Sequence, residues 1–519
     1  MDGLPRDTSW TRRPRHTPPA LLLVGWLGVL GALPAQAFDK AKADQTLTFA
    51  RRQLERTASD PSLKTTHSPK SSLGGKWRTV SNTDDTGWTQ GFFPGLLWLT
   101  YEATQAPVWR TRADAWTRPL EGQKSNRETH DLGFKLFLSY GHAYQLTGDT
   151  SYRDVLLEGA ASLASRYNAK ARVIDCCDWN DPPWHVALVT DTMMNLELLF
   201  WGARHGGDPA WNDMALNHAL KTAQDMVRAD GGTFHVVDYD TEGRIVFKGT
   251  FQGYSDSSTW SRGQAWALYG FTLAYRYTRD PRMLAAARKT TKYYLDRLPA
   301  DSVPYWDFNA PADQRQKDSS AAAIVASALL ELSQYVPPDE ARGYLTAAGA
   351  MLDSLASPAY LAAGSDNPGI LLHGVAFYRT PIKPKGDDID ASLIYGDYYF
   401  VEALQRFRQQ ASGGEQPPPT EEPPPPPTEE PPPPPPTEEP PPPSGEPPPP
   451  TGEPPAEDPS SETTGEATET KTAKGCTTVP GSAFVAGGVL PWLLYTCLRR
   501  PTKSRSSSRG APTGRTARR

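Results

Sequence analysis

The apolar positions between residues 38 and 412 recur with the spacing of α-helices, and no convincing run of alternating apolar and polar residues predicts a strand. Six segments share one layout, in which polar, glycine-containing or aromatic residues lead directly into a strongly apolar helix. Between them lie amphipathic helices of the kind that cover a protein surface. The six segments begin at Trp88, His130, Thr190, Ser258, Asp318 and Tyr395.

The six segments follow one another at intervals of about 60 residues, the length that a two-helix hairpin with its loops requires. Six buried helices alternating with six amphipathic ones predict an all-α fold, an (α/α)6 barrel of six helical hairpins that occupies residues 38–412. The inner helices of such a barrel run parallel. The openings of all six segments are therefore expected to meet at one mouth.

The first 37 residues have the pattern of a secretory signal peptide. Arg12, Arg13 and Arg15 precede an apolar run at 20–33, and residues 35–37 (AQA) give a small-x-small cleavage site. The apolar run is too short for an ordinary membrane span. The chain is therefore expected to be exported and to be secreted or held at the cell surface or in the periplasm.

The composition changes completely after the predicted barrel. Residues 413–475 are rich in Pro, Glu and Thr, and such a linker is expected to be disordered, with polyproline II as its natural state. Residues 476–519 combine a short apolar segment with a basic tail. This segment predicts contact with the membrane through a single anchor, with a cleaved sorting tag and an unstructured tail as the alternatives.

Charge and cysteine content exclude several classes of partner and cofactor. The formal net charge is −5 and the predicted barrel has no cluster of Lys and Arg, which argues against nucleic acid. Cys176 and Cys177 are adjacent, while Cys476 and Cys497 lie outside the predicted barrel, so the four cysteines form no disulfide framework. No Cys/His spacing indicates zinc. We predict neither a metal nor a cofactor.

The predicted barrel gathers several polar and aromatic residues from distant parts of the chain around one pocket. The alternative for each aspartate is a helix cap, and that is the interpretation we favour for Asp318. Asp131 and Asp191 differ, because each adjoins a strongly apolar helix where a carboxylate must be satisfied by partners or serve a function. The gathered residues are Trp88, His130, Asp131, Asp191, Arg262, Gln264 and Trp266.

Four segments of the chain together resemble glycoside hydrolase family 88, the unsaturated glucuronyl hydrolases. They occur in order and at plausible spacing, and four motifs that agree are much more specific than any one of them. A fifth stretch, 396–399 (GDYY), also fits the resemblance. The four segments are 130–134 (HDLGF), 191–196 (DTMMNL), 230–235 (DGGTFH) and 252–266 (QGYSDSSTWSRGQAW).

The resemblance implies an enzyme that removes a 4,5-unsaturated glucuronic acid from the non-reducing end of lyase-generated oligosaccharides, by hydration of the vinyl ether double bond. It implies that Asp191 is the general acid and base and that Asp131 is a second essential aspartate that holds substrate hydroxyls. Two neighbouring carboxylates raise one pKa, whereas helix N-termini lower it. The sequence leaves open which effect prevails at Asp191.

The resemblance also implies a set of residues that bind the unsaturated uronic-acid oligosaccharide. Arg262 is the candidate cation for the carboxylate of the substrate. Trp88 and Trp266 are expected to stack on the sugar ring. Hydrogen bonds are expected from His130, His235 and Gln252.

Two features leave alternatives open. Many relatives carry a histidine where this chain has Phe251, which puts the preferred leaving sugar or its sulfation in doubt. An unsaturated rhamnogalacturonyl hydrolase relies mainly on one aspartate, so His130-Asp131 together with Asp191 favours the glucuronyl interpretation. A tethered sugar-binding surface protein without catalysis is an alternative of another class, as is a polysaccharide lyase on an α/α barrel.

Overall fold

The computed structural model describes residues 38–176, 184–378 and 385–413. The predicted signal peptide, the apolar segment with its basic tail, and the linker apart from Gly413 lie outside the described residues. Within those three ranges, no helix combines the length and the apolar character needed to cross a membrane.

Twelve α-helices run through the described residues, and one of them is preceded directly by a π-helical segment, Gly133–Gly141. Several helices begin with an aspartate whose carboxylate accepts a backbone N–H of the first turn, as Asp39, Asp149 and Asp280 do. The helices are α1 (Lys40–Ala58), α2 (Phe92–Thr104), α3 (Pro107–Thr117), α4 (His142–Thr147), α5 (Thr150–Ala164), α6 (Thr192–Arg204), α7 (Ala210–Lys221), α8 (Ser261–Thr278), α9 (Pro281–Leu295), α10 (Ser319–Leu332), α11 (Pro338–Leu355) and α12 (Ile394–Ala411).

The helices form two concentric layers. The inner layer consists of α2, the π-helical segment with α4, α6, α8, α10 and α12, and apart from the short α4 these elements are buried almost all round. Neighbouring inner helices contact each other in a closed ring, since α12 packs on both α10 and α2. The outer helices α1, α3, α5, α7, α9 and α11 bury one face each. This is the predicted (α/α)6 barrel.

Nine short strands lie in the connections between the described helices, where the sequence has no convincing run of alternating residues to predict them. They form three sheets with the strand orders β2-β1-β9-β8, β3-β4 and β5-β6-β7. Most have no alternating pattern; β5 and β6, for example, are buried at every position. The strands are β1 (His67–Ser72), β2 (Trp77–Ser81), β3 (Tyr167–Asn168), β4 (Val173–Ile174), β5 (Val186–Val189), β6 (Val236–Tyr239), β7 (Ile245–Gly249), β8 (Gly374–Phe377) and β9 (Asp387–Leu393).

The sheet β5-β6-β7 aligns three predicted site residues. Its strands are antiparallel, and Val189 at the end of β5 pairs with Val236 at the start of β6. Asp191 follows β5, His235 precedes β6 and Gln252 follows β7. All three therefore emerge from the same end of the sheet, although they are far apart in the chain.

Close helix packing joins the second and third inner helices at the level of the two aspartates. A Cβ atom at Gly133 would lie 2.5 Å from Cα of Asn195, which no real side chain allows. Glycine at this position therefore lets the turn after Asp131 lie directly against the first turn of α6, which follows Asp191.

Candidate active site

Asp191 occupies the N-cap position of α6, but its side chain makes no cap hydrogen bond. The carboxylate turns instead towards the mouth of the barrel, where Oδ2 accepts the Oγ1–H of Thr190 at 3.1 Å. Nε2 of His235 lies 3.4 Å from the same oxygen. The side chain is 19% exposed. A carboxylate that is released from capping and still reachable is available for chemistry.

Asp318 shows the contrasting arrangement. Its Oδ1 accepts both the backbone N–H and the hydroxyl of Ser320, at 3.2 and 2.5 Å, so the predicted helix cap is confirmed. Its Oδ2 accepts a hydrogen bond from Nη1 of Arg262 at 2.8 Å. All carboxylate contacts of Asp318 are therefore structural.

Backbone hydrogen bonds fix the tautomer of His235. The N–H groups of Phe251 and Gln252 both donate to Nδ1 of His235, at 3.2 and 3.1 Å. A nitrogen that accepts two hydrogen bonds carries no proton, so the proton of the ring is on Nε2. His235 therefore presents an N–H to Asp191, and the strand end after β7 holds it in that orientation.

The pKa of Asp191 lies below its ordinary value. Burial raises it, but the hydrogen bond from His235 and the electrostatic interactions with His235, His130 and Arg262 together outweigh burial. In the free protein Asp191 is therefore ionised at neutral pH. The sequence left open whether the pKa of Asp191 is raised or lowered, and in the structure it is lowered.

Asp131 is buried at the opening of the second inner helix. Its Oδ2 accepts the hydroxyl of Thr129 at 2.9 Å, and the Thr129 oxygen accepts the backbone N–H of Asp131 at 3.1 Å. Nε2 of His130 lies 3.5 Å from Oδ1 of Asp131. The other ring nitrogen, Nδ1, hydrogen-bonds with Oγ1 of Thr192 at 2.7 Å. His130 thus links Asp131 to the residue that follows Asp191.

Asn195 joins the two aspartates, and the sequence reasoning assigned it no role. Its Oδ1 accepts the N–H of Phe134 at 2.8 Å, which satisfies a donor at the start of the π-helical segment. Its Nδ2 lies 3.3 Å from the carbonyl oxygen of Asp191 and 3.5 Å from Oδ1 of Asp131. An asparagine on a strongly apolar inner helix was the available signal, because such a polar side chain needs buried partners.

Arg262 does not line an open pocket as the sequence predicted. It is 1% exposed, and its amino groups donate to the carboxylate of Asp318, to Oε1 of Gln252 and to the carbonyl oxygens of Val375 and Ala376. These bonds leave neither amino group for a substrate carboxylate, which is the physical reason for the correction. Only Nε has no partner among the described residues.

The two predicted stacking tryptophans have different surroundings. Trp266 is 0% exposed and packs edge-on against Tyr399 and at a tilt against Phe134, so the prediction that its face receives a sugar was wrong. Its position on an inner helix faces the barrel axis, where neighbouring rings cover it. Trp88 is partly exposed and packs on Tyr395 with ring centroids 4.7 Å apart. It remains a candidate platform.

Gln252 and Phe251 follow β7 at the rim. Arg262 binds Oε1 of Gln252 at 3.2 Å, which leaves the amide NH2 of Gln252 to face away from the guanidinium. Phe251 packs edge-to-face against Trp184, with centroids 5.9 Å apart. Gln264, in contrast, is fully buried and bonds to backbone groups, so it supports the loops and does not line the pocket.

The assembled groups are suited to acid–base chemistry. The mouth of the barrel holds two carboxylates, each beside a histidine, and no serine or cysteine nucleophile is paired with a base in the contacts described above. In the ranges 38–176, 184–378 and 385–413, no group of three or more His, Cys, Asp or Glu side chains is placed to hold a metal ion.

Comparison with known families identifies this arrangement. The model of Glycosyl Hydrolase Family 88 matches residues 65–358, more than half of the chain. The chain belongs to glycoside hydrolase family 88. The matched range contains Asp131, Asp191, His235 and Arg262, so the residues gathered at the mouth of the barrel lie within the family region.

Relatives of this family 88 enzyme are similar over most of their length. The unsaturated glucuronyl hydrolase of Formosa agariphila is 45% identical over 333 residues, which cover 63% of this chain and 81% of that protein. The unsaturated chondroitin disaccharide hydrolase of Streptococcus pneumoniae is 37% identical over 62% of this chain and 82% of its own. A crystal structure of an unsaturated glucuronyl hydrolase specific for heparin is 36% identical, with a TM-score of 0.67, and covers 72% of this chain and 98% of its own.

Proposed function

We propose that this family 88 hydrolase removes the 4,5-unsaturated glucuronic acid from the non-reducing end of oligosaccharides that polysaccharide lyases release from glycosaminoglycans. The reaction is hydration of the vinyl ether double bond. The observation that carries the proposal is the state of Asp191. Its carboxylate is reachable and caps no helix, and it lies next to Nε2 of His235, whose proton is fixed there by the two backbone hydrogen bonds to Nδ1.

The reaction needs one group that gives a proton and takes one back. The carboxyl group of Asp191 transfers its proton to C4 of the unsaturated sugar, and a water molecule adds its oxygen to C5. The water loses a proton to the same carboxylate, which restores the acid. The hemiketal formed at C5 then opens, and the bond to the next sugar breaks. Asp131 and His130 are placed to hold ring hydroxyls.

The positive charge of Arg262, which acts on the carboxylate of Asp191, supports an anionic substrate. The amino groups of Arg262 all donate to protein acceptors, so this charge acts on a substrate carboxylate through space and not through a hydrogen bond of those groups.

We also propose that the enzyme works outside the cytoplasm, tethered by its C-terminal segment. Support comes from the basic and apolar pattern of residues 1–37 and from the Pro-rich spacer that precedes the apolar residues of 476–519. Fractionation of cells that express the full chain tests this proposal. Recovery of active enzyme only from the cytosol contradicts it.

The test of the activity is turnover of defined unsaturated disaccharides by the purified full-length enzyme. We expect loss of the ultraviolet absorbance of the conjugated uronate with unsaturated chondroitin, hyaluronan or heparin disaccharides, and release of the neighbouring sugar in equal amount. The control is the corresponding saturated disaccharide, which lacks the double bond and must remain intact. Turnover of unsaturated rhamnogalacturonan fragments alone supports the rhamnogalacturonyl alternative, and tight binding without turnover supports the sugar-binding protein.

The pH dependence of the two kinetic parameters is expected to differ. The value of kcat/KM reports the free enzyme, in which the pKa of Asp191 is low, whereas kcat reports the complex. Because only protonated Asp191 can start the reaction, both parameters fall as pH rises through its pKa. The substrate carboxylate disfavours a second negative charge, so the fall of kcat lies at higher pH than that of kcat/KM.

The matched variant for this pH experiment is His235→Phe, which keeps a ring and removes the N–H that lowers the pKa of Asp191. We expect its fall in kcat/KM to move to higher pH. Profiles of the two enzymes that coincide would contradict the role assigned to His235. The measurement is initial rate against substrate concentration at each pH.

A further inference from the structure

Lys135 is a fully buried lysine that the proposed reaction does not use. It lies one helical turn after Asp131, whose carbonyl oxygen accepts the Lys135 backbone N–H at 3.0 Å. Its Nζ donates to the carbonyl oxygens of Asp84 and Asp85, at 3.3 and 2.8 Å, and to Oε1 of Gln123 at 2.8 Å. The three donors of an ammonium group are thus matched by three neutral oxygens. No carboxylate oxygen of the described residues lies within 4.0 Å of Nζ.

The two carbonyl groups belong to the loop that carries Trp88. Residues 82–91 connect β2 to α2, and the carbonyl oxygens of Asp84 and Asp85 point inward to Lys135. Nδ2 of Asn126 also donates to the carbonyl of Asp85, at 2.9 Å. Trp88 itself packs against Phe134, the residue before Lys135, with ring centroids 5.4 Å apart. Lys135 therefore contacts the loop that carries Trp88, the candidate stacking residue, and lies one helical turn after Asp131.

We propose that Lys135 is a positioning residue for the hydrolysis, whose ammonium group fixes the loop of Trp88 relative to Asp131. The inference rests on the proposed function. A lysine buried only to fill space needs no three polar partners, and methionine fills the same volume without the cost of burying a charge. The geometry requires the charged form, because a neutral amine has two N–H donors and leaves one of the three oxygens without a partner.

The ammonium group of Lys135 loses its proton at mildly alkaline pH. Burial lowers the pKa of Lys135 to about 8, although Asp131 on its own helix and Asp85 and Asp84 on the loop act in the opposite direction. The segment Arg118–Ser125 faces Nζ with the neutral amide of Gln123. Below this pKa the ammonium holds the loop, and above it the loop loses one hydrogen bond. Substrate affinity is therefore expected to weaken at alkaline pH.

The first experiment measures KM and kcat of the full-length enzyme on an unsaturated chondroitin disaccharide from about pH 6 to about pH 9.5. If only the protonated form positions Trp88, about one-tenth of the enzyme is competent one pH unit above the pKa, and KM rises about tenfold at pH 9. The platform acts equally on the ground state and the transition state, so the rise is in KM and not in kcat. A KM that stays constant across this range overturns the proposal.

Two variants separate positioning from a merely structural role. Lys135→Met is expected to have a high KM at all pH values, with no further rise above pH 8. Gln123→Glu places a carboxylate against the ammonium, which raises the pKa of Lys135 and moves the rise in KM to higher pH. A rise in KM at unchanged pH in Gln123→Glu overturns the proposal. The melting temperature of each variant is measured first, and the wild-type profile together with Gln123→Glu decides the matter if Lys135→Met does not fold.

A readout without turnover distinguishes failure of this inference from failure of the proposed function. Subtracting the fluorescence of Trp88→Phe from that of the wild type isolates the signal of Trp88 among the 15 tryptophans. Acrylamide quenching of that signal is expected to increase between about pH 7 and about pH 9.5 and to remain constant in Lys135→Met. If quenching increases with pH but the enzyme turns over no substrate, the positioning role of Lys135 is supported and the proposed hydrolase activity is contradicted. Quenching that does not change with pH in the wild type overturns positioning.

Discussion

Asp191→Asn is expected to lower kcat about 10²- to 10⁴-fold, because the amide can neither donate a proton to C4 nor accept one from water. The substitution removes no cap hydrogen bond, since the side chain of Asp191 makes none, so folding is expected to be preserved. Binding is expected to persist, because the groups assigned to the substrate remain. The measurement is the initial rate on an unsaturated disaccharide, together with the dissociation constant from equilibrium binding.

Asp149→Asn is the matched control for that experiment. Asp149 is also an N-cap aspartate, its carboxylate accepts the N–H of Ser151, and it is exposed at the start of the outer helix α5. Asparagine caps helices about as well as aspartate, so this variant is expected to keep full activity and stability. Turnover by Asp191→Asn close to that of Asp149→Asn would remove the acid–base assignment.

Arg262→Met is expected to destabilise the protein by about 3–5 kcal/mol, because it leaves the carboxylate of Asp318 buried without its counter-ion. Asp318 is fully buried, and the substitution also removes the donors to Gln252 and to the carbonyl groups of Val375 and Ala376. The free energy of unfolding, measured by chemical denaturation, is the readout. A loss below about 1 kcal/mol would show that the pair is not structural.

The double variant Arg262→Met with Asp318→Asn is the control for the buried charge. Asparagine keeps the cap of α10 and carries no charge, so we expect the double variant to be more stable than Arg262→Met alone. Its activity is expected to stay low, because Gln252 loses the hydrogen bond that orients its amide. If the double variant is no more stable than Arg262→Met, the loss of stability comes from packing and not from the unpaired charge of Asp318.

Much of the fold could be predicted from local patterns. A strongly apolar helix has to be buried all round and an amphipathic one on a single face, so six alternations of the two specify concentric layers. The cap at Asp318 was equally local, because an aspartate followed by two serines satisfies the first turn of its own helix. The strands escaped prediction because strands as short as β3 and β4, or buried as completely as β5 and β6, lack a two-residue period.

Some features of the candidate site could be predicted from the sequence and others could not. Asp131, Asp191, His130, His235 and Gln252 come together at the mouth as their motifs indicated, since their positions follow from the ends of inner helices and of one sheet. The motif could not reveal that Trp266 turns its face into the core. Exposure of a side chain depends on which neighbours cover it, and those neighbours, Phe134 and Tyr399, come from two other helices.

Residue identity and period along the chain specified the barrel, its mouth and the positions of Asp131 and Asp191 there, because helix formation and burial follow from interactions within a few turns. The ionised state of Asp191, the locked tautomer of His235, the burial of Arg262 and the contacts of Lys135 were decided by packing between distant segments. Each of these properties depends on distances of a few ångströms between groups far apart in sequence. Electrostatic and hydrogen-bond energies change strongly over such short distances, and only the folded barrel brings these groups that close together.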